Sequence, residues 1–124
     1  MANVRTFRDL IAWQKSMELA RTLYVTTKAM PSDERFGLTS QMRRAAVSVP
    51  SNIAEGFGRE NRADLLKYLR IARGSLNEVA TQYELATSMQ LIPAQPMISD
   101  LIEETDRVLQ GLINSLKSKA QANA

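Results

Sequence analysis

Between Leu65 and Ala86, apolar side chains recur at alternating steps of four and three: Leu65, Leu69, Ala72, Leu76, Val79, Tyr83 and Ala86. This is a heptad seam, and it requires an α-helix with one apolar stripe facing a partner. Asn61 supplies an N-cap side chain, so the helix is expected from about 62 to 90. Such a helix would be about 40 Å long at 1.5 Å per residue. It gains most of its stability by packing that stripe against other helices. Gly74 interrupts it at a cost of roughly 1 kcal/mol relative to alanine, and a glycine there is expected to permit a close crossing.

Three other stretches supply the partners. The first helix is expected over 7–29, capped by Thr6 with Asp9 in its first turn, and stopped by Pro31. Its stripe reads Leu10, Trp13, Met17, Ala20, Leu23 with Tyr24, and Thr27. The second is expected over 39–57, capped by Thr39 or Ser40, with Leu38, Met42, Ala45, Ala46, Val49 and Ile53 on its inner face. Pro50 removes one helical hydrogen bond, and Ser48 and Ser51 are placed to bond the freed carbonyl. Gly56 and Gly58 are expected to end the helix in left-handed geometry. The fourth is expected over 97–119, capped by Ser99, with a stripe of Ile98, Ile102, Thr105, Leu109, Leu112 and Leu116. No stretch alternates with the period of a strand. Four amphipathic helices with short connections predict an all-α, up-down-up-down four-helix bundle, one domain over 1–124.

The chemistry open to such a bundle is narrow. The chain has no cysteine and no histidine, which removes disulfides, thiolate metal sites and the commonest general base. Asp100, Glu103, Glu104 and Asp106 lack the histidine partners of a di-iron bundle site, so no metal and no cofactor are expected. No apolar run approaches the roughly 18 residues of a membrane span, and the first ten residues carry no apolar leader core, so a cytoplasmic protein without a membrane partner is expected.

Charge is uneven along the chain. Residues 43–73 carry seven Lys/Arg against three Asp/Glu, whereas residues 74–124 carry three against six. The basic segment is either an ordinary solvated face, an anion-binding surface, or one half of a head-to-tail contact between subunits. Arg59, Arg62, Lys67, Arg70 and Arg73 are the candidate phosphate contacts, with Arg43 and Arg44 extending the patch and Tyr68 offering a stacking surface. Asp64 is the natural partner of Lys67 in the alternative, solvated reading. Arg44, Ser48, Asn52 and Glu55 step along one edge of the second helix. They are either a hydrogen-bonded network that fixes helix register or a ligand contact. A single glutamate without histidine, nucleophile or metal is a poor active site, so no enzyme is expected.

The run from Leu38 to Gly56, LTSQMRRAAVSVPSNIAEG, closely resembles the signature of the bacterial four-helix-bundle family named after the 23S rRNA intervening sequence. FRDLIAWQ at Phe7–Gln14 and LRIARGSLNE at Leu69–Glu78 support it, and the resemblance covers roughly residues 5–116. It implies a bundle that assembles as a homopentamer with a basic surface. It also implies a likeness to the accessory protein of diversity-generating retroelements, whose partners are a reverse transcriptase and RNA. The expected function is therefore non-enzymatic and oligomeric, with RNA bound on the basic surface. The alternative is a protein-interaction scaffold that touches no nucleic acid.

Overall fold

The structure, a computed structural model, describes residues 3–122, with side chains described as far as Ser118. Four helices follow one another: α1 (Ile11–Thr26), α2 (Leu38–Phe57), α3 (Arg62–Ser88) and α4 (Pro96–Ala122). They pack as a ring of neighbours, α1 on α2, α2 on α3, α3 on α4 and α4 on α1. This is the expected four-helix bundle, and no strand occurs among the described residues. Leu19, Leu23, Met42, Val49, Ile53, Leu69, Leu76, Val79, Ile98 and Leu109 fill its centre, each under 2% exposed. Burying each such side chain contributes about 1.5–3 kcal/mol. No described helix is long and apolar enough to cross a membrane.

Helix ends depart from the sequence reading in instructive ways. The expected first helix of 7–29 is broken: Phe7–Asp9 is a 3₁₀ turn, Leu10 is extended, and Thr27–Ala29 is a second 3₁₀ turn. Thr6 does cap the first turn, accepting the Arg8 N–H at 3.1 Å. α2 is not capped by Thr39 or Ser40. Gly37 occupies the cap position, and the Leu38 N–H donates instead to the Glu34 carboxylate at 3.0 Å. A carboxylate at a helix's positive end serves the same purpose. α2 runs unbroken through Pro50, but Ser48 turns to α3 and Ser51 makes no hydrogen bond among the described residues, so neither follows the expected role. Ser99 does not cap α4, which begins at Pro96, and its N–H donates to the Gln95 carbonyl.

The expected left-handed glycines at the end of α2 are absent, because Gly58 has φ −78°. Gly56 is needed for space: a Cβ there would lie 2.7 Å from Tyr68 Cβ and 3.3 Å from the Leu65 carbonyl oxygen. The close crossing expected at Gly74 is therefore found at Gly56, since nothing lies within 4 Å of a Cβ built on Gly74. The left-handed cap occurs instead at Gln90, φ 60°, closing α3. There the Leu91 N–H donates to the Ala86 carbonyl and the Gln90 N–H to that of Thr87. These are the two bonds of a Schellman motif.

α1 and the turn after it bury part of the expected stripe and replace the rest. The buried positions of α1 are Ala12, Ser16, Leu19, Ala20, Leu23 and Thr26. Leu10, Ala20, Leu23 and Thr27 are buried as expected, but Ala12 and Ser16 take the inward places one residue before Trp13 and Met17, which are half-buried, and Tyr24 is exposed. The larger residues Trp13, Met17 and Tyr24 instead line an open apolar groove of about 690 Å³ against Val47, Pro50 and Ala54 of α2. Phe7 closes one end, edge-on to Trp13 at 5.3 Å. Val25 and Val47 at this face are 66% and 43% exposed.

The first turn carries a pH-dependent element. The Asp9 carboxylate accepts the N–H groups of Arg5 at 2.8 Å and Thr6 at 3.1 Å. The bond from Arg5, then that from Thr6, pulls its pKa below the ordinary 3.8. Because the folded value lies below the unfolded one, the stabilisation is complete above 3.8 and is lost as pH falls through the folded value. Asp9→Asn is expected to lower the thermal midpoint at neutral pH, and the gap to wild type should close in scans taken in strong acid.

Candidate nucleic-acid interface

α3 sets the positions of most of the basic side chains. Its start is fixed by Asn61, whose Oδ1 accepts the Asp64 N–H at 2.8 Å while its amide donates to the Asp64 carboxylate at 3.2 Å. Asp64 is thereby engaged at the cap and forms no ion pair with Lys67.

The six candidate cations fall into two groups. Arg43, Arg59 and Arg73 brace the bundle. Arg43 donates from Nε to Thr27 Oγ1 at 2.9 Å and from Nη2 to the Tyr24 carbonyl at 3.2 Å, and its guanidinium lies 4.8 Å above the Tyr24 ring. It satisfies a carbonyl at the negative end of α1. Arg59 donates to Glu55 at 2.6 Å and to the Tyr68 hydroxyl at 2.7 Å, tying the end of α2 to α3. Tyr68, and after it Glu55, raises the Arg59 pKa above the ordinary arginine value, so the guanidinium stays charged at every working pH. The same guanidinium sits 4.8 Å over the Tyr68 ring. One face of the expected stacking surface is therefore already covered. Arg73 Nε pairs with Asp106 on α4 at 3.1 Å.

Arg62, Lys67 and Arg70 form the other group. Lys67 and Arg70 are exposed on the outer side of α3, and Arg62 is half-buried in its first turn. None of the three makes a side-chain hydrogen bond or ion pair among the described residues. On α4, Asp106 pairs with Arg73 and Glu104 with Lys15 at 3.2 Å.

The polar edge of α2 is also divided. Asn52 Nδ2 donates to the Ser48 carbonyl at 2.8 Å and to Ser48 Oγ at 2.9 Å, and Ser48 Oγ lies 2.8 Å from Ser75 Oγ on α3. This chain of bonds crosses the helix interface and fixes the relative register of α2 and α3. Glu55 is not part of it, being paired with Arg59, and Arg44 is exposed without a bond among the described residues. Ser75 was missed in the sequence because it is polar and stands beside Leu76. Its signal was position: Ser75, Val79, Gln82 and Ala86 repeat the four-three step on the flank facing α2. Among the described residues no group of three or more acidic side chains is placed to hold a metal.

A comparison with protein families matches residues 8–114 to the family described as 23S rRNA-intervening sequence protein. A crystal structure of a protein of unknown function from the S23 ribosomal protein family of Bacteroides thetaiotaomicron superposes with a TM-score of 0.74 at 24% identity. The match covers 84% of this chain and 96% of that one, and at this identity it speaks for the fold alone. No curated protein matches.

Proposed function

The chain belongs to the family of 23S rRNA-intervening sequence proteins, and from that premise we propose that it is a non-enzymatic, self-associating bundle that binds RNA along the outer side of α3. The observation that carries this reading is the state of Arg62, Lys67 and Arg70. Three cations stand on one helix with no carboxylate spent on them among the described residues, beside three others that brace the bundle through hydrogen bonds or ion pairs. Arginine forks match phosphate geometry, and an exposed lysine serves as a point charge.

Self-association as a homopentamer, which the family resemblance implies, has support from the groove between α1 and α2. Trp13, Met17, Tyr24, Val25 and Val47 line an apolar face that nothing among the described residues covers. A head-to-tail contact between the basic middle of one copy and the acidic last third of the next would close into a ring. Five copies would then multiply the charge presented to a phosphate backbone.

Light scattering on the intact protein is expected to give a mass near five times 13.9 kDa. Filter binding to single-stranded RNA should show affinity falling with salt at a log–log slope of about −2 for three phosphate contacts. Slopes become steeper where several copies share one strand. Absence of binding at low salt across several RNAs, or binding indifferent to salt, would refute the proposal.

A second reading is a protein-binding scaffold, such as an accessory subunit of a reverse transcriptase. It is favoured by Phe36, Met89 and Met97, exposed by 88%, 56% and 61% in and beside the two connections at one end of the bundle.

A further inference from the structure

A second opening lies where the end of α1 meets the first half of α2. It is a pocket of about 560 Å³, and its wall includes Arg35, Arg43 and Arg44 with no carboxylate. Arg35 and Arg44 are exposed, and their side chains make no hydrogen bond or ion pair among the described residues. Arg43 is held from behind by the Tyr24 carbonyl and Thr27, which fixes its guanidinium in place.

Thr39 is part of the same wall and is 7% exposed. Its hydroxyl is buried and has no hydrogen-bond partner among the described residues. Other helical threonines avoid this cost by donating to the carbonyl four residues back, as Thr22, Thr27, Thr81, Thr87 and Thr105 do. Thr39 has no such outlet, so its side chain serves the fold poorly there. Rotation about its Cα–Cβ bond exchanges hydroxyl and methyl without moving the backbone.

Flat apolar rings stand at the rim. Phe36 is 88% exposed with the Arg35 guanidinium 5.2 Å over it, and Tyr24 is 43% exposed. We infer that this pocket binds a nucleoside phosphate unit, its phosphate held by Arg35, Arg43 and Arg44 with Thr39 donating, and its base stacked on Phe36 or Tyr24. Charge-assisted bonds supply the anchoring and aromatic stacking accepts any base. The site shares no residue with Arg62, Lys67 and Arg70, so it stands or falls separately from the RNA surface on α3.

Equilibrium dialysis of the full chain tests it, with adenosine 5′-monophosphate as probe, adenosine as the phosphate-free control and a uridine hexamer as a strand. The monophosphate is expected to bind at least tenfold more tightly than adenosine. Arg35→Ala and Arg44→Ala, both at exposed positions, should each weaken it about tenfold. Thr39→Val should weaken it severalfold while leaving the thermal midpoint unchanged or raised, because it removes an unpaired hydroxyl. Hexamer binding that falls by the same factor in these variants assigns the pocket to an RNA strand, whereas loss confined to the monophosphate assigns it to a free nucleotide. Monophosphate bound no better than adenosine, or bound equally by Arg35→Ala and Arg44→Ala, would overturn the inference. A large drop in midpoint for Thr39→Val would show that the hydroxyl serves the fold, and would remove it from the site.

Discussion

The triple variant Arg62→Glu, Lys67→Glu, Arg70→Glu is expected to lose more than 100-fold in RNA affinity at low salt while its mass in solution stays that of wild type. Three attractive contacts become three repulsive ones, and the basic segment swings from a charge of +4 to −2. Each phosphate contact removed from a single strand should also flatten the salt dependence by about 0.7 units of slope. The fold should tolerate the change. Lys67 and Arg70 are exposed, and a glutamate at the first position of α3 favours the helix dipole. Arg59→Ala and Arg73→Ala are the controls, because those side chains are spent on Glu55, Tyr68 and Asp106. They should shift RNA affinity less than threefold. Undiminished RNA binding by the triple variant would rule out the α3 surface. A smaller mass would instead place these cations in a subunit contact.

Gly56→Ala is expected to destabilise the protein by about 2 kcal/mol, a fall of roughly 8 °C in thermal midpoint. Alanine is ordinarily the better helix residue by about 1 kcal/mol, so the substitution should help on propensity alone. Packing reverses the sign. The added methyl would meet Tyr68 Cβ at 2.7 Å and the Leu65 carbonyl oxygen at 3.3 Å, atoms next to or in the backbone of α3. Neither can swing away as a side-chain tip would, so the two helices must separate where Arg59 and Tyr68 clasp them. Gly74→Ala and Gly111→Ala provide the contrast. Nothing lies within 4 Å of a methyl at either position, so each should gain up to about 1 kcal/mol. Calorimetry on the three variants decides it: a midpoint that rises in Gly56→Ala as it does in Gly74→Ala would mean the crossing is not tight.

These two expectations draw on different levels of legibility. The seam of α3 was readable because Leu69, Ala72, Leu76, Val79, Tyr83 and Ala86 all lie on the buried face, and Asn61 caps as its residue type predicts. The family signature was readable because it is a local string. The glycine at position 56 was noticed but given the wrong reason: a chain-ending glycine and a glycine at a crossing look identical until the neighbouring helix is in place. The basic cluster was likewise visible as composition. Its division into braces and free charges was not, because Asp106 is 33 residues from Arg73 and only packing brings them within 3.1 Å.

The sequence by itself determined that four rods form, where the connections fall and that one family signature marks α2. Periodicity, caps and prolines act within a few residues, so they survive without tertiary context. Only the tertiary structure decided which side chains of α1 complete its inward face. Beside the expected Ala20 and Leu23, the smaller Ala12 and Ser16 are buried, while Trp13 and Met17 are half-buried at the groove and Tyr24 is exposed. The choice depends on the volume left between the other helices, a quantity that no single segment encodes.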